Sequence, residues 1–264
     1  MLSPWLGVSF VLIVLAGSMA GLSLCRHQYA LQSEIARKLL HVEMGLVTLS
    51  FPWLFAKTWP VLLLAALSII GFLVFRISVS LRRNVGSVLH DVPRPSFGEI
   101  YFVLGVCCVY LFYGGDVLLY CIPISILTLA DASAGLVGGS YGREPYTIGE
   151  GQKSVEGSIT FFIVAFLCTL VPLLVFTGIA HGEALLVAAL TGLSTTVLEA
   201  CADRGLDNLL IPVGAFVVLK TCIGLQPPAL ATGLIMVVIL IVSATWWCER
   251  NPAVRCDDGP THRN

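Results

Sequence analysis

The sequence predicts an all-α, polytopic integral membrane protein with about nine transmembrane helices, and two observations support that prediction. Hydrophobic residues make up 57% of the 264-residue chain and charged residues only 12%, whereas an average soluble protein has about 25% charged residues. The apolar residues also fall in runs near the roughly 20 residues that an α-helix needs to cross the hydrocarbon core. We therefore expect one transmembrane domain over residues 1–264 and no separate soluble domain.

Nine apolar runs define the predicted helices. They lie at residues 4–24, 38–55, 60–77, 99–113, 117–138, 157–177, 183–201, 207–219 and 228–247. The eighth run is short and contains Pro212, so an arrangement of eight helices that omits it is the alternative.

The distribution of basic residues favours nine helices over eight. If the N-terminus lies outside, 13 of the 15 lysine and arginine residues fall in inside segments, and only Lys57 and Lys220 fall outside. This asymmetry agrees with the positive-inside rule, and dropping one helix would break it at the C-terminus. Residues 248–264 then form a short cytosolic tail, and the polar clusters described below all face the cytosol.

Charge and cysteine content exclude two classes of function. The net charge is −1 and the basic residues are spread through short loops, so we expect no nucleic-acid partner. Most of the nine cysteines lie in or near apolar runs without the spacing of metal ligands, which indicates small hydrophobic side chains rather than a metal site.

The first inside-facing segment combines cations with a carboxylate and an imidazole. Glu34, Arg37, Lys38, His41 and Gly45 are separated by three or four residues, so they share one face of a helix. The simplest interpretation is an interfacial helix whose basic side chains extend to lipid phosphates. His41 favours a functional site instead, because an imidazole at the edge of an apolar run needs a partner that offsets its desolvation.

The second segment, residues 76–99, begins with basic residues that can contact anionic lipid. It ends at Glu99, which opens an apolar helix. That carboxylate either caps the helix N–H groups or faces a polar cavity.

The third segment is a glycine-rich polar insert, DASAGLVGGSYGREPYTIGEGQKSVEGS, at residues 131–158. Its glycines allow a close approach of the backbone to an anion, and Arg143 and Lys153 supply positive charge. Asp131 and Glu156 are oxygen ligands suited to magnesium. Small residues four apart, Ala134 and Gly138 among them, are equally typical of close helix packing, so both interpretations stand.

The fourth segment carries three carboxylates at a membrane boundary, Glu199, Asp203 and Asp207. Such a cluster is costly in a membrane unless it is paired or binds metal. Asp203 with Arg204 can form a solvated pair, and Asp207 with Asn208 can cap the next helix or donate oxygen atoms to a metal.

Together these segments resemble the CTP-dependent lipid-alcohol kinases, within the CDP-diacylglycerol synthase-like superfamily. The family includes dolichol, phytol and farnesol kinases and CTP-dependent diacylglycerol kinases. The motifs occur in the family's order over residues 34–212: Glu34/Arg37-Lys38/His41/Gly45, Asp131-x-x-Ala134-x-x-x-Gly138-x-x-x-Gly142-Arg143, Lys153-Ser154-x-Glu156-Gly157-Ser158 and Leu206-Asp207-Asn208 to Pro212. The Lys153–Ser158 box looks more like dolichol kinase than like plant phytol kinases, and the stretch 144–152 is longer than the family pattern leads us to expect.

The resemblance implies transfer of phosphate from CTP to a membrane alcohol such as dolichol, phytol or farnesol, with release of CDP. It implies that magnesium is held by Asp131, Glu156 and Asp207, and that the catalytic residues are Asp131, Lys153, Glu156 and His41, with Asp131 or His41 accepting the proton. The residues it implies for CTP binding are Arg37, Lys38, Gly138, Gly139, Gly142, Arg143, Ser154 and Asn208. The expected partners are CTP, a lipid alcohol and membrane lipids, and the sequence leaves a homodimer open. The expected location is a bacterial inner membrane or a membrane of the endoplasmic reticulum type, with a cytosol-facing site.

Two other functions stay open at this point. Phosphatidate cytidylyltransferases of the same superfamily also use CTP, but their Lys-Arg run and later His-Gly-Gly motif are missing here. Transporters also have glycine-interrupted helices, although their charges lie near mid-span, whereas these charges gather at helix ends. The sequence does not name the alcohol.

Overall fold

A computed structural model describes residues 3–29, 33–77, 97–148 and 151–250. The basic part of the second segment, residues 82–94, lies outside the described residues. So do residues 251–264, which make up most of the predicted tail, and the side chain of Glu34.

The described residues form helices and one β-hairpin. The elements are α1 (Pro4–Tyr29), α2 (Ser33–Leu49), α3 (Phe51–Leu54), α4 (Trp59–Ile77), α5 (Gly98–Phe112), α6 (Val117–Ser125), a π-helical turn (Ile126–Ala130), α7 (Asp131–Tyr141), β1 (Pro145–Ile148), β2 (Gly151–Ser154), α8 (Val155–Phe176), α9 (His181–Cys201), α10 (Asp207–Cys222) and α11 (Pro227–Arg250). The segments α6, π turn and α7 run on without a break as one long helix, Val117–Tyr141.

Each of the nine predicted runs coincides with a helix or with two consecutive helices. Among the residues that the structure describes, five helices are long and apolar enough to cross a membrane: Pro4–Leu22, Val117–Tyr141, Val155–Phe176, His181–Cys201 and Pro227–Trp246. The helices at Trp59–Val74 and Gly98–Phe112 are apolar but shorter. The fold is therefore compatible with an all-α membrane protein, and nine crossings remain a prediction.

The boundaries of the second helix differ most from the prediction. Helix α2 begins at Ser33 rather than at residue 38, because its charged residues continue the same amphipathic face. The run is then interrupted at Ser50, and the short α3 follows with Pro52 in its first turn. Proline is accepted there because the first N–H groups of a helix have no partner within the helix.

The polar insert is more ordered than the sequence indicates. Its first eleven residues are helical, as α7, and its middle forms an antiparallel hairpin in which Tyr146 pairs with Lys153. The longer-than-expected stretch 144–152 is mostly this hairpin. It returns the chain to the end of α7, where the Val155 N–H donates to the Glu144 carbonyl at 3.1 Å.

The long helix Val117–Tyr141 lies at the centre of the fold, since 61% of its most apolar window is buried, against 6% for Pro227–Trp246. Tyr120 is fully buried on it and donates a hydrogen bond to the Thr48 carbonyl at 2.9 Å. A Cβ atom on Gly45 would overlap the Thr128 hydroxyl. Glycine at that position therefore lets α2 approach the π turn closely.

Candidate active site

Side-chain contacts bring the ends of several helices together. Three contacts join segments far apart in the sequence: Lys38 with Asp131, Lys153 with Glu199, and Asn208 with Gly98. The four polar segments of the sequence therefore meet, where described, at one end of the helix bundle, as their predicted placement on one side of the membrane requires.

Asp131 lies at the centre of this region. It is 8% exposed and is the first residue after the π turn. The Lys38 ammonium lies 2.9 Å from its Oδ2 atom, and the His41 Nε2 atom lies 3.8 Å from the same oxygen. Asp131 thus faces two of the residues that the helical spacing of α2 placed on one face.

The ring of His41 is oriented by its surroundings. Its Nε2 atom is 3.1 Å from the carbonyl oxygen of Leu127 in the π turn, and π-helical turns frequently occur at functional sites. A carbonyl only accepts, so the hydrogen bond assigns the proton to Nε2 and leaves Nδ1 as the basic nitrogen of the neutral ring. The ring also packs edge-on against Phe102, with 5.3 Å between the ring centroids.

Lys38 reaches Asp131 across a surface that only glycine leaves open. A Cβ atom on Gly135 would lie 2.6 Å from Lys38 Cε and 2.7 Å from Nζ. The Lys38 ammonium also approaches the Asp131 carbonyl, at 3.4 Å. Gly135 lies one turn beyond Asp131 on α7. Its lack of a side chain therefore leaves room for the Lys38–Asp131 ion pair.

Lys153 forms a second ion pair, with Glu199. Its ammonium lies 2.6 Å from Glu199 Oε1 and also donates to the Glu199 backbone carbonyl. Glu199 is 8% exposed and interacts electrostatically with Asp131 and Asp207 as well. Sequence reasoning noted this carboxylate but gave it no role. The available signal was its position near the end of a long apolar helix.

Asp207 and Asn208 begin α10 after a tight turn. Arg204 and Gly205 have left-handed backbone angles, with φ values of 50° and 87°. The Asn208 side-chain amide then donates to the Gly98 carbonyl at 3.0 Å, which joins the starts of α10 and α5. The Asp207 carboxylate accepts a hydrogen bond from the Asn208 N–H at 3.0 Å.

A cavity of about 150 Å³ lies among these groups. Six of the predicted site residues line it: Arg37, Lys38, His41, Asp131, Asp207 and Asn208. Glu99 also lines it, which agrees with the interpretation that this carboxylate faces a polar cavity. An engineered cavity of about the same volume in another protein holds one benzene molecule. The space therefore suits a phosphoryl group or the hydroxyl end of a lipid, while the rest of a nucleotide must lie outside it.

Ser154 and two glycines have a packing role instead. The Ser154 hydroxyl caps α8 by accepting a hydrogen bond from the Gly157 N–H at 3.1 Å. A Cβ atom on Gly138 would lie 2.9 Å from this hydroxyl, and one on Gly142 would lie 2.8 Å from the Ser154 Cβ. These contacts support the helix-packing interpretation of the insert. Gly139 is exposed on α7 with open space around it, and phosphate contacts of these residues stay a prediction.

Glu156 lies away from Asp131, so the two carboxylates do not share one metal ion in this arrangement. Its carboxylate accepts from the Arg143 N–H at 2.9 Å and from the Glu144 N–H at 3.5 Å, just beyond the end of α7. That end, Tyr141, lies about 15 Å from Asp131 along the helix at 1.5 Å per residue. The sequence pattern could not reveal this separation, because both residues flank the same insert.

The described residues include no group of three or more His, Cys, Asp or Glu side chains placed to hold a metal ion. Asp131 and Asp207 nevertheless line one cavity and interact electrostatically with each other. Magnesium is commonly held by one or two carboxylates together with substrate phosphates. The pair Asp131 and Asp207 fits that requirement, and a metal role for Glu156 stays a prediction.

Comparison with curated proteins agrees with the resemblance seen in the motifs. A phytol kinase from Synechocystis sp. is 28% identical over 216 residues, which cover 80% of this chain and 89% of that protein. The chain is a homologue of the phytol kinases. This relationship confirms the prediction of a lipid-alcohol kinase family.

Two plant proteins also match the chain. One from Glycine max, named "Probable phytol kinase 2, chloroplastic", is 26% identical, and one from Zea mays, named "Probable phytol kinase, chloroplastic", is 24% identical. Each match covers 71% of this chain but only 65% and 66% of the respective plant proteins. The names all specify phytol, so they give no support to the closer likeness to dolichol kinase inferred from the Lys153–Ser158 box. No protein-family model and no solved structure matches the chain.

Proposed function

We propose that this protein is a CTP-dependent kinase that phosphorylates a membrane isoprenoid alcohol to its monophosphate. The observation that carries the proposal is the group of Lys38, His41 and Asp131 around one cavity, in a chain homologous to phytol kinases. Phosphoryl transfer needs little covalent help from a protein and is accelerated mainly by positioning and charge stabilisation. A small cavity with both cations and carboxylates supports that kind of chemistry.

The reaction joins the alcohol oxygen to the γ-phosphorus of CTP. The bond between that phosphorus and the oxygen bridging it to the β-phosphate breaks, and CDP leaves with the electron pair. The hydroxyl proton passes to His41 at Nδ1, the ring nitrogen that does not face the Leu127 carbonyl. Asp131, predicted as an alternative base, is already paired with Lys38 and is assigned the metal instead.

Asp131 and Asp207 would hold magnesium, which neutralises charge on the triphosphate when it is bound. Asp207 supports this assignment because it lines the same cavity as Asp131 and interacts with it electrostatically. Lys38 stays with Asp131. Lys153 is close enough to Asp131 and Asp207 to interact with both electrostatically, so it can turn from Glu199 toward a phosphate.

The choice of CTP rests on the family resemblance, and the cytosolic orientation rests on the distribution of basic residues. The apolar helices support a membrane location, which suits an alcohol whose hydrocarbon tail stays in lipid. In this arrangement the hydroxyl meets the nucleotide at the end of the bundle where the polar segments converge.

A labelling experiment tests the proposal directly. Purified protein in lipid nanodiscs is incubated with magnesium, a panel of prenols and diacylglycerol, and CTP labelled at either the α or the γ phosphate. We expect γ label in the phosphorylated prenol and none from α-labelled CTP. Parallel reactions with ATP, GTP and UTP test the choice of nucleotide.

Other outcomes would contradict the proposal in distinct ways. Transfer of α label to lipid when phosphatidate is supplied would identify a cytidylyltransferase. Transfer of γ label to diacylglycerol alone would identify a diacylglycerol kinase. No transfer from any nucleotide would refute kinase activity and favour a transporter.

A further inference from the structure

A second, apolar cleft continues the polar cavity toward the interior of the helix bundle. It has a volume of about 40 Å³ and lies among α1, α2, α4 and α5. Its walls are mainly aliphatic, with Val11 and Leu15 from α1, Leu64 and Ala65 from α4, and Val106 from α5. The cleft has no charged residue in its lining.

The two spaces lie end to end along the same helix faces. On α2 the lining passes from His41 in the polar cavity to Met44 and Thr48, at steps of three and four residues. Such steps keep side chains on one face of a helix. The seven-residue step from His41 to Thr48 spans about 10 Å along the helix axis at 1.5 Å per residue.

Met44 and Phe102 line both spaces and so form the boundary between them. Phe102 is 2% exposed, and its ring contacts the His41 ring edge-on. Met44 is only partly buried, and methionine adapts its shape to its neighbours more readily than other apolar residues. A molecule that extends from one space into the other must therefore pass between a fixed aromatic ring and an adaptable thioether.

We propose that the apolar cleft binds the first part of the isoprenoid tail, with Met44 and Phe102 holding the chain next to its hydroxyl group. The inference rests on the proposed function, which places the hydroxyl in the polar cavity beside His41. An alcohol held there has its hydrocarbon chain attached at the next atom, and the adjoining cleft is the apolar space that shares its walls. The occupant is thus the substrate's own tail.

The size of the cleft limits the part of the substrate that can bind in it. Its 40 Å³ is about three times the roughly 10–15 Å³ of cavity volume that a single water molecule needs. It holds the beginning of a slim chain, and the remainder of the tail lies among the lipids. The protein therefore selects a narrow primary alcohol and tolerates different tail lengths, whereas the bulky ester groups beside the hydroxyl of diacylglycerol do not fit.

A matched pair of alanine substitutions tests the cleft. Ala65 lines it, and the adjacent Ala66 is exposed on α4. Ala65→Leu adds three carbon atoms and fills the cleft, so we expect the KM for prenols to rise about tenfold or more, since one methylene alone changes binding in an apolar pocket by about 10- to 200-fold. The KM for CTP should stay unchanged, and Ala66→Leu should match the wild type in both constants. Equal alcohol KM values for the two variants would overturn the proposal while leaving the kinase in place.

A binding experiment separates this inference from the kinase proposal. A farnesol analogue carrying a diazirine near its hydroxyl is photolysed with the wild-type protein in nanodiscs without nucleotide, and the labelled residues are mapped by mass spectrometry. We expect labels on α1, α4 or α5 around the cleft, competed by farnesol and reduced in Ala65→Leu. Labels confined to lipid-facing residues would refute the tail site even if the enzyme phosphorylates prenols. Labels in the cleft together with no phosphoryl transfer would support the site and refute only the kinase.

An enlarged cleft provides the opposite test. Met44→Ala removes the adaptable side of the boundary, so the ratio of turnover with diacylglycerol to turnover with farnesol should rise. An unchanged ratio in a folded Met44→Ala protein would contradict recognition at this boundary.

Discussion

The two lysine–carboxylate pairs of this protein are similarly buried but lie in different surroundings. The side chains of Lys38 and Asp131 are 13% and 11% exposed, and those of Lys153 and Glu199 are 17% and 11% exposed. Lys38 and Asp131 both belong to helices and line the polar cavity with His41. Lys153 lies on a two-stranded hairpin, and neither it nor Glu199 lines that cavity.

Burial of an ion pair therefore does not identify its role. The pair at Asp131 is held by two packed helices and faces the space where the reaction is proposed. The pair at Glu199 joins a hairpin to the end of α9, so Lys153 can exchange its partner for a phosphate without disturbing helix packing. We infer a fixed pair and an exchangeable pair, and four substitutions test that distinction.

The largest effect is expected from Asp131→Asn. The change removes the charge that Lys38 and His41 face, and loss of one preorganised electrostatic group at an active site costs about 10²- to 10³-fold in kcat. The measurement is turnover with γ-labelled CTP. Asp116→Asn is the control, because Asp116 caps α6 away from the site and asparagine caps helices as well as aspartate does.

Folding must be measured alongside, since breaking a buried ion pair destabilises a protein by about 3–5 kcal/mol. Asp131→Glu keeps the charge but moves it by one methylene group, so it should fold and remain poorly active. Full activity of Asp131→Asn would remove this residue from the site.

The next effect is expected from Gly135→Ala. The new methyl group would displace the end of Lys38 from Asp131, so turnover should fall about tenfold or more, as expected when a charged hydrogen bond of about 1.5–3 kcal/mol is lost. Thermal stability should fall, because the roughly 1 kcal/mol by which alanine favours a helix interior over glycine does not offset the loss of a buried ion pair. Gly71→Ala is the matched control, since Gly71 lies inside α4 with open space around it. Equal activity of the two variants would show that the position of Lys38 is unimportant.

A smaller effect is expected from Glu199→Gln. Lys153 would keep the backbone carbonyl but lose its charged partner, so its position would be less defined. We expect the KM for CTP to change about threefold to tenfold with kcat less affected, a range typical of a hydrogen bond worth about 1 kcal/mol. Glu199→Asp should restore part of the wild-type value. Glu183→Gln, at the other end of α9, is the control, and a matching KM in both variants would exclude the positioning role.

The smallest effect is expected from Glu156→Gln. Glutamine retains one oxygen that accepts from the Arg143 N–H, and only the longer bond from the Glu144 N–H is lost, so the turn after α7 should largely persist. We expect less than about a threefold loss of turnover, within the net value of one ordinary hydrogen bond. A loss as large as that of Asp131→Asn, together with a higher magnesium concentration for half-maximal activity, would support Glu156 as a metal ligand.

The sequence was sufficient to locate the helices and one face of the site. Long apolar runs marked every predicted helix, and the three- and four-residue spacing correctly grouped Arg37, Lys38, His41 and Gly45 on the inner face of α2. These features depend on local periodicity, which a single sequence displays directly.

The contacts between segments could not be predicted in the same way. Asp131, Glu156 and Glu199 all read as carboxylates at the ends of apolar runs, and only helix packing decides that Asp131 faces His41 while Glu156 binds backbone amides. The short strand Pro145–Ile148 has too few residues to show the alternation of polar and apolar side chains that marks a strand in a sequence. Ser154 was interpreted as a nucleotide ligand, although a serine just before an apolar run is also a common helix cap.

The π turn at Ile126–Ala130 makes the direction of Asp131 sensitive to a single residue. Deletion of one residue from this turn would restore a regular α-helix and rotate the following segment by about 100°, the angle of one residue at 3.6 residues per turn. Asp131 would then point away from Lys38, although the helix would remain equally apolar and almost as long. The number of residues in the π turn therefore sets the direction of the Asp131 carboxylate, whereas the apolar composition of the same helix sets its insertion into a bilayer.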